Sequence, residues 1–204
     1  MKYELAHIDY AFTSCIFDNI PAHVITEIDG NIWLADDNGD SVQAGKVGYY
    51  LIDIVLSDDN FDGDTLLDEN GDSAAFIGHI YQPGGWHFRK KLLRMMDIEP
   101  VTNGLLILRR AEILPAFRGH ELMAEALYDG IRFFGKNADL MALRAIPLQS
   151  GYGDQGDDED WIRQMALPEI TDDYHAGMEK LIRYYSTLGF RKIPGSEDLM
   201  VKAL

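Results

Sequence analysis

The residues best suited to chemistry lie in one run, Ile113-Leu114-Pro115-Ala116-Phe117-Arg118-Gly119-His120-Glu121-Leu122-Met123. An apolar strand ends, a short turn follows, and an amphipathic helix begins. That order leaves the first backbone N–H groups of the helix without partners and exposes the positive end of its macrodipole. Such a helix start holds an anion such as a pyrophosphate without any basic cluster. Arg118 adds one charge, and His120 is a candidate hydrogen-bond donor to phosphate. Just upstream, Glu112 is a carboxylate in an otherwise apolar strand, costly to bury unless it is paired or functional. Arg110, two residues away on the same strand face, could pair with it.

Elements with clear periodicity must position these residues. Residues 105–114, Leu-Leu-Ile-Leu-Arg-Arg-Ala-Glu-Ile-Leu, read as a long strand opened by Asn103-Gly104, and the spacing predicts a helix over 121–134. A second apolar strand, ending at Pro147, follows over about 140–146. Another helix is expected over 174–188, closing on Gly189. In the first half, 31–35 and 45–56 are candidate strands joined across the turn signal Asp36-Asp37-Asn38-Gly39-Asp40. The second of these is nearly all apolar or aromatic, as in a central strand covered on both faces. A weaker helical pattern over 64–82 ends at Pro83-Gly84-Gly85, and 86–96 reads as a short helix. Residues 151–160 form a glycine-rich acidic loop.

The run 113–123 resembles the acyl-CoA loop of the GNAT N-acetyltransferases, whose pattern is Arg/Gln-x-x-Gly-x-Gly/Ala after a strand ending in Val/Ile-x-Pro. Ile113, Pro115 and Arg118 fit, whereas the fourth and sixth places, usually glycine or small, are Glu121 and Met123. Downstream, Tyr184-Tyr185-Ser186-Thr187-Leu188-Gly189-Phe190 resembles the superfamily's aromatic-Tyr-x-x-x-Gly-Phe motif. The two motifs stand in the family's order with a strand between them. The resemblance covers residues 104–204 and is only architectural over 1–103. It implies an α/β (α+β) fold with a mixed, mainly antiparallel sheet, helices on both faces, and two central strands that splay apart where the acyl group sits.

The resemblance further implies transfer of an acetyl group from acetyl-CoA to a primary amine. The cofactor would contact Ile113, Leu114, Arg118, Gly119, His120, Glu121, Leu122 and Met123. Backbone N–H groups around Ile113 and Leu114 would polarise the thioester carbonyl, and Tyr185 would protonate the departing thiolate. A phenol suits that role because its ordinary pKa of about 10 keeps it protonated at neutral pH. The alternative for Tyr185 is a core aromatic, since one of two adjacent helical tyrosines must face elsewhere. Glu112 is the candidate general base, or else the ion-pair partner of Arg110. A second reading is a GNAT-fold binding or regulatory protein with a degenerate CoA loop.

Composition narrows the partners. The chain has 204 residues, 47% of them hydrophobic, enough for a single domain with one well-filled core. Its net charge of −16, from 34 acids against 18 bases, disfavours nucleic acid and anionic lipid and favours a cationic small-molecule or peptide amine. No basic run followed by an apolar core opens the chain, so a soluble, cytoplasmic protein is expected, with no membrane partner. The oligomeric state stays open, a homodimer included. Cys15 is the only cysteine and reads as a bystander thiol.

No metal is expected. The six histidines lack metal-ligand spacing. Residues 58–69 do match the Asp-x-Asn-x-Asp-Gly-x5-Glu calcium loop, yet a strand precedes them instead of a helix, and their eighth position is Thr65. No Gly-x-Ser-x-Gly, Walker or Gly-x-Gly-x-x-Gly pattern is present, so hydrolase, nucleotide-hydrolysis and dinucleotide readings lack their minimum residues.

Overall fold

The computed structural model describes residues 4–13, 24–36, 39–54, 76, 78–148, 159–166 and 173–204. Seven strands form one open sheet: β1 (Glu4–Thr13), β2 (Ile25–Ala35), β3 (Ser41–Ile52), β4 (Leu105–Ile113), β5 (Leu140–Arg144), β6 (Arg191–Lys192) and β7 (Leu199–Ala203). Their order is β1-β2-β3-β4-β5-β7-β6, and every pairing is antiparallel except β4 with β5. Among the described residues the helices with both ends defined are α1 (Lys90–Met96), α2 (Leu122–Phe134), α3 (Glu159–Gln164) and α4 (Tyr174–Thr187), with short 3-10 turns at Pro115–Phe117 and Gly135–Asn137. The mixed, mainly antiparallel α+β architecture expected from the sequence is what the chain adopts.

Alternation along the central strands builds both cores. Leu105 and Ile107 of β4 face one side, where Tyr50, Ile52, Leu140 and Ala142 meet Phe88, Leu92 and Met96 around α1. Leu106 and Leu108 face the other, where Val47, Tyr49, Met141 and Leu143 meet Ala126 and Leu127 of α2 and Tyr185 of α4. Side chains two apart on a strand share a face, so a continuous apolar run is what a strand buried on both faces requires. Tyr49 fixes α2 on its face: its hydroxyl donates to the carbonyl of Ala126 at 2.9 Å. Gly130 makes room for that ring, since a Cβ there would lie 2.5 Å from its Cζ.

The hairpin expected at 36–40 joins β2 to β3, with Asp36 N–H donating to the carbonyl of Asp40 and Gly39 at φ 86°. The helix expected at 86–96 is shorter, Lys90–Met96, because 83–87 form turns and Phe88 bridges Tyr81. β2 starts six residues earlier than expected, at Ile25, and β1 was not expected at all. The helical pattern at 64–82 lies mostly outside the described residues, with helix at 76 and 78–80. The calcium-like run 58–69 and Cys15 lie outside them altogether.

The parallel pair decides where a site can form. At its start the carboxylate of Asp139, just before β5, accepts the N–H groups of Val101, Thr102 and Asn103 at 2.9, 2.8 and 2.6 Å, and the Thr102 hydroxyl at 2.9 Å. Gly104 lies so close to the carbonyl of Asn137 that a Cβ would sit 1.8 Å from it, and its own carbonyl accepts Asp139 N–H. β4 and β5 are thus clamped where they begin. Their pairing runs only from Leu105 with Leu140 to Leu108 with Leu143. Beyond it, the remaining residues of β4 have no β5 partner among the described residues.

Asp139→Ala strips three backbone N–H groups of their acceptor. Each such loss costs about 1–3 kcal/mol, reduced where water can reach, so a drop of about 2–4 kcal/mol is expected. Urea unfolding at neutral pH measures it. A loss below about 1 kcal/mol would show that the 101–103 turn holds without the carboxylate.

Candidate functional site

The chain beyond the clamp is irregular in a way that its ladder explains. Gly48 pairs with Arg110 and Tyr49 with Leu108, so Arg109 is an extra residue in β4, a bulge. The bulge turns Arg110 and Glu112 to the face opposite α2. Arg109 crosses above Gly48 to reach Glu27 at 3.0 Å and Asp29 at 2.5 Å on β2, a path open because Gly48 has no side chain.

Glu112 is 2% exposed. Its Oε2 accepts from Arg110 at 2.7 Å and from the indole Nε1 of Trp161 at 2.7 Å. Lys46, its partner across β3, lies over the Trp161 ring, 4.4 Å from the centroid. The carboxylate is therefore an ion-paired group under an aromatic lid. Both bonds fall on Oε2, so an amine proton reaching that oxygen has to displace one of these donors. Trp161 belongs to α3, whose first two residues, Glu159 and Asp160, close the stretch 151–160 that the sequence gives as an acidic loop.

At the end of β4, Leu114 N–H donates to the carbonyl of Ala44. Alternation then turns the N–H and C=O of Ile113 toward the edge that β5 leaves open. Of the two backbone donors expected near an acyl carbonyl, that of Ile113 points to the opening and that of Leu114 is committed to β3. Pro115–Phe117 makes one 3-10 turn, and Arg118 follows in extended conformation. The Arg118 guanidinium is bound to two carbonyls, Nε to Ile113 at 3.0 Å and Nη2 to Met165 at 2.7 Å. These bonds hold the loop to β4 and to Met165 just past α3, and an anion would have to compete for the guanidinium.

Gly119 (φ 84°) and Glu121 (φ 59°) are both left-handed, and His120 between them is exposed. Glu121 is the N-cap of α2, and no side chain caps that start. The first-turn N–H groups thus point outward with the 13-residue helix behind them. Leu122 is buried against Phe117, Trp161 and Met165, and Met123 is half-buried on the α2 face. The glycine-type position of the expected pattern is therefore glycine-like in backbone conformation, although Glu121 fills it. A left-handed non-glycine residue costs about 1–2 kcal/mol.

The second motif has a local explanation. Gly189, at φ 90°, donates its N–H to the carbonyl of Ser186, and Phe190 N–H donates to Tyr185, which is a Schellman helix stop. The apolar contact that accompanies such stops is here the Tyr185 ring on Phe190, at 5.9 Å between centroids. Tyr185 is 5% exposed, packed with Leu108, Ala126 and Leu143. Burial, and then neighbouring Tyr184, pushes its phenol well above the ordinary range. Tyr184 is 37% exposed, and its phenol is raised by burial and then by the charge of Glu121. Leu181, Tyr185 and Leu188 at the end of α4 pack in one apolar cluster with Met123, Ala126 and Leu127 of α2, so the two motifs meet in space.

Among the described residues no three His, Cys, Asp or Glu side chains gather as a metal site. No described helix is long and apolar enough to cross a membrane.

Compared with the known protein families and with curated proteins, the chain matches none. Its chemistry has to be read from the geometry above. That geometry predicts that Glu121→Gly stabilises the free protein by about 0.5–1 kcal/mol, the left-handed strain less the entropy that glycine adds. An upward shift of the urea midpoint would show it. An unchanged or lower midpoint would mean that the Glu121 side chain makes a stabilising contact that offsets its strain.

Proposed function

We propose that the chain is an acetyltransferase of the GNAT type, moving an acetyl group from acetyl-CoA to a primary amine. The observation that carries this reading is the end of the β4–β5 ladder at Leu108 and Leu143, with β4 running on to Ile113 and leading directly into an uncapped helix start. The strand order, the parallel pair at the centre of the sheet and the packing of the end of α4 on the first turns of α2 support it.

The residues present fit acetyl-CoA in three respects. The α2 start offers backbone N–H donors for a pyrophosphate, Glu121 adopts the glycine-type conformation, and among the described residues no strand pairs with β4 at Ile113 on the β5 side, where an extended arm would lie. Two features oppose it, the Glu121 carboxylate and the commitment of Arg118 to backbone carbonyls. Charge-assisted bonds from backbone N–H groups contribute about 1.5–3 kcal/mol each. The repulsion of one exposed carboxylate that can swing toward water is about 1 kcal/mol. Binding wins, weakened.

When bound, acetyl-CoA supplies the acyl group as an activated thioester. The chain's own residues do the rest. The Ile113 N–H at the open edge donates toward the carbonyl oxygen where negative charge grows. Tyr185 keeps its proton across the neutral range, because burial raises its pKa, and so is a donor for the leaving sulfur. Glu112 is the acceptor for the amine proton once the amine replaces one of its donors. Glu27 and Asp29, about half exposed on the same sheet face, favour a cationic acceptor. The alternative reading, a GNAT-fold binding or regulatory module, has Glu121 and Met123 as its motivation.

The test is acetyl-CoA-dependent thiol release across polyamines, amino acids, aminoglycosides and peptide N-termini, run with the parent chain and with Tyr185→Phe. The reading expects turnover with at least one amine and a loss of about a hundredfold in kcat on Tyr185→Phe, with KM for acetyl-CoA little changed. Unchanged turnover would make Tyr185 a core aromatic and nothing more. Acetyl-CoA binding without turnover on any amine would favour the regulatory module.

A further inference from the structure

Five residues from separate parts of the chain close a ring of contacts that the proposed chemistry does not by itself require. Glu112 adjoins Ile113 along β4, and the Ile113 carbonyl accepts from Arg118 Nε at 3.0 Å. Arg118 Nη2 donates to the carbonyl of Met165 at 2.7 Å. Met165 N–H in turn donates to the carbonyl of Trp161 at 3.0 Å, one helical turn away. The Trp161 indole donates to Glu112 at 2.7 Å, completing the ring. Leu114, Phe117 and Leu122 from the loop pack with Trp161 and Met165 in one apolar cluster, so loop and helix share a core.

We infer that Trp161 is a positioning residue for Glu112, and that Arg118 makes its placement depend on whether the 118–123 loop holds an anion; the inference rests on the acetyl-transfer reading. The physical reason is a difference in acceptors. A guanidinium bonds more strongly to a phosphate oxygen than to a neutral carbonyl. A pyrophosphate on the N–H groups at the start of α2 draws Arg118 toward itself and loosens its hold on Met165. α3 then yields, and the indole leaves the carboxylate. The donor that departs is an N–H, and the group that needs its place is the N–H of the acceptor amine. In the empty protein the indole holds Oε2 of Glu112, and with the loop filled it releases that oxygen. Linkage makes the effect reciprocal, so whatever holds Trp161 on Glu112 weakens acetyl-CoA.

The indole N–H signal reads this directly, since a charge-assisted hydrogen bond moves it downfield. The protein is labelled with nitrogen-15 tryptophan, and its three indole signals are assigned by replacing Trp33, Trp86 and Trp161 singly with Phe. Glu112→Gln should shift the Trp161 signal upfield without ligand, while the other two stay in place. Acetyl-CoA, followed by calorimetry on the same sample, should shift the Trp161 signal upfield in the parent protein. In Arg118→Gln, titrated to saturation, the Trp161 signal should not respond. Bound acetyl-CoA with a stationary Trp161 signal would overturn the coupling and leave the acetyl-transfer reading standing. So would an equal response in Arg118→Gln, because Arg118 would then not be the link. A Trp161 signal indifferent to Glu112→Gln would remove the positioning role itself. No acetyl-CoA binding at all would sink the acetyl-transfer reading, and the inference with it.

Discussion

Everything distinctive in this fold follows from the way two parallel strands of unequal length are joined. β4 has nine residues and β5 five, and the Asp139 carboxylate clamps them at the end where both begin. Their ladder ends at Leu108 with Leu143, one residue before β5 itself stops, and β4 runs on to Ile113. Among the described residues, no strand pairs with the outer part of β4 on the β5 side. Unpaired backbone groups are costly inside a protein, so the chain fills the gap with other donors and leaves the rest open. Arg118 meets the carbonyl of Ile113, the bulge at Arg109 redirects the strand, and α3 covers the carboxylate of Glu112.

That arrangement separates two kinds of electrostatics in a chain of net charge −16. The basic groups nearest the gap are held: Arg109 by Glu27 and Asp29, Arg110 by Glu112, and Arg118 by two carbonyls. A buried ion pair contributes little net stability, yet losing one partner is costly, so such pairs set geometry more than they add affinity. Attraction for an anion is left to the backbone N–H groups at the start of α2, whose dipole falls off within a turn. Recognition at that loop is therefore short-ranged and depends on backbone conformation. This is why the left-handed states of Gly119 and Glu121 matter more than the charge around them.

How much of this the sequence discloses depends on the range of the interaction. The β4-loop-α2 unit is legible because its signals are local: an apolar run, a proline, a turn and a helical period. Tyr185 is legible through its spacing to Gly189 and Phe190, but the Schellman stop accounts for that spacing without any chemistry. β1 went unread although Ile8, Tyr10 and Phe12 alternate with Asp9 and Ala11, a period-2 signal strong enough to mark a strand. α3 was hidden by its acidic approach, where Glu159 and Asp160 read as loop, whereas acids also favour a helix start. The contacts that define the site are non-local. Glu112 meets Trp161 across 49 residues and Arg118 meets Met165 across 47, and no periodicity encodes either. The Arg110–Glu112 pair, two residues apart on one strand, was open to inspection from the start.

The central claim is that an acyl carrier with a pyrophosphate occupies the gap between β4 and β5, held by the start of α2. Calorimetric titration of the free protein with acetyl-CoA, beside Glu121→Gly with Met123→Ala at the same salt concentration, tests it most directly. The account predicts saturable one-to-one binding to both, tighter in the double variant, because left-handed strain and one nearby carboxylate are removed together. Absence of binding to either protein at millimolar acetyl-CoA would contradict it, and the parted strands would then be a scaffold for some other partner.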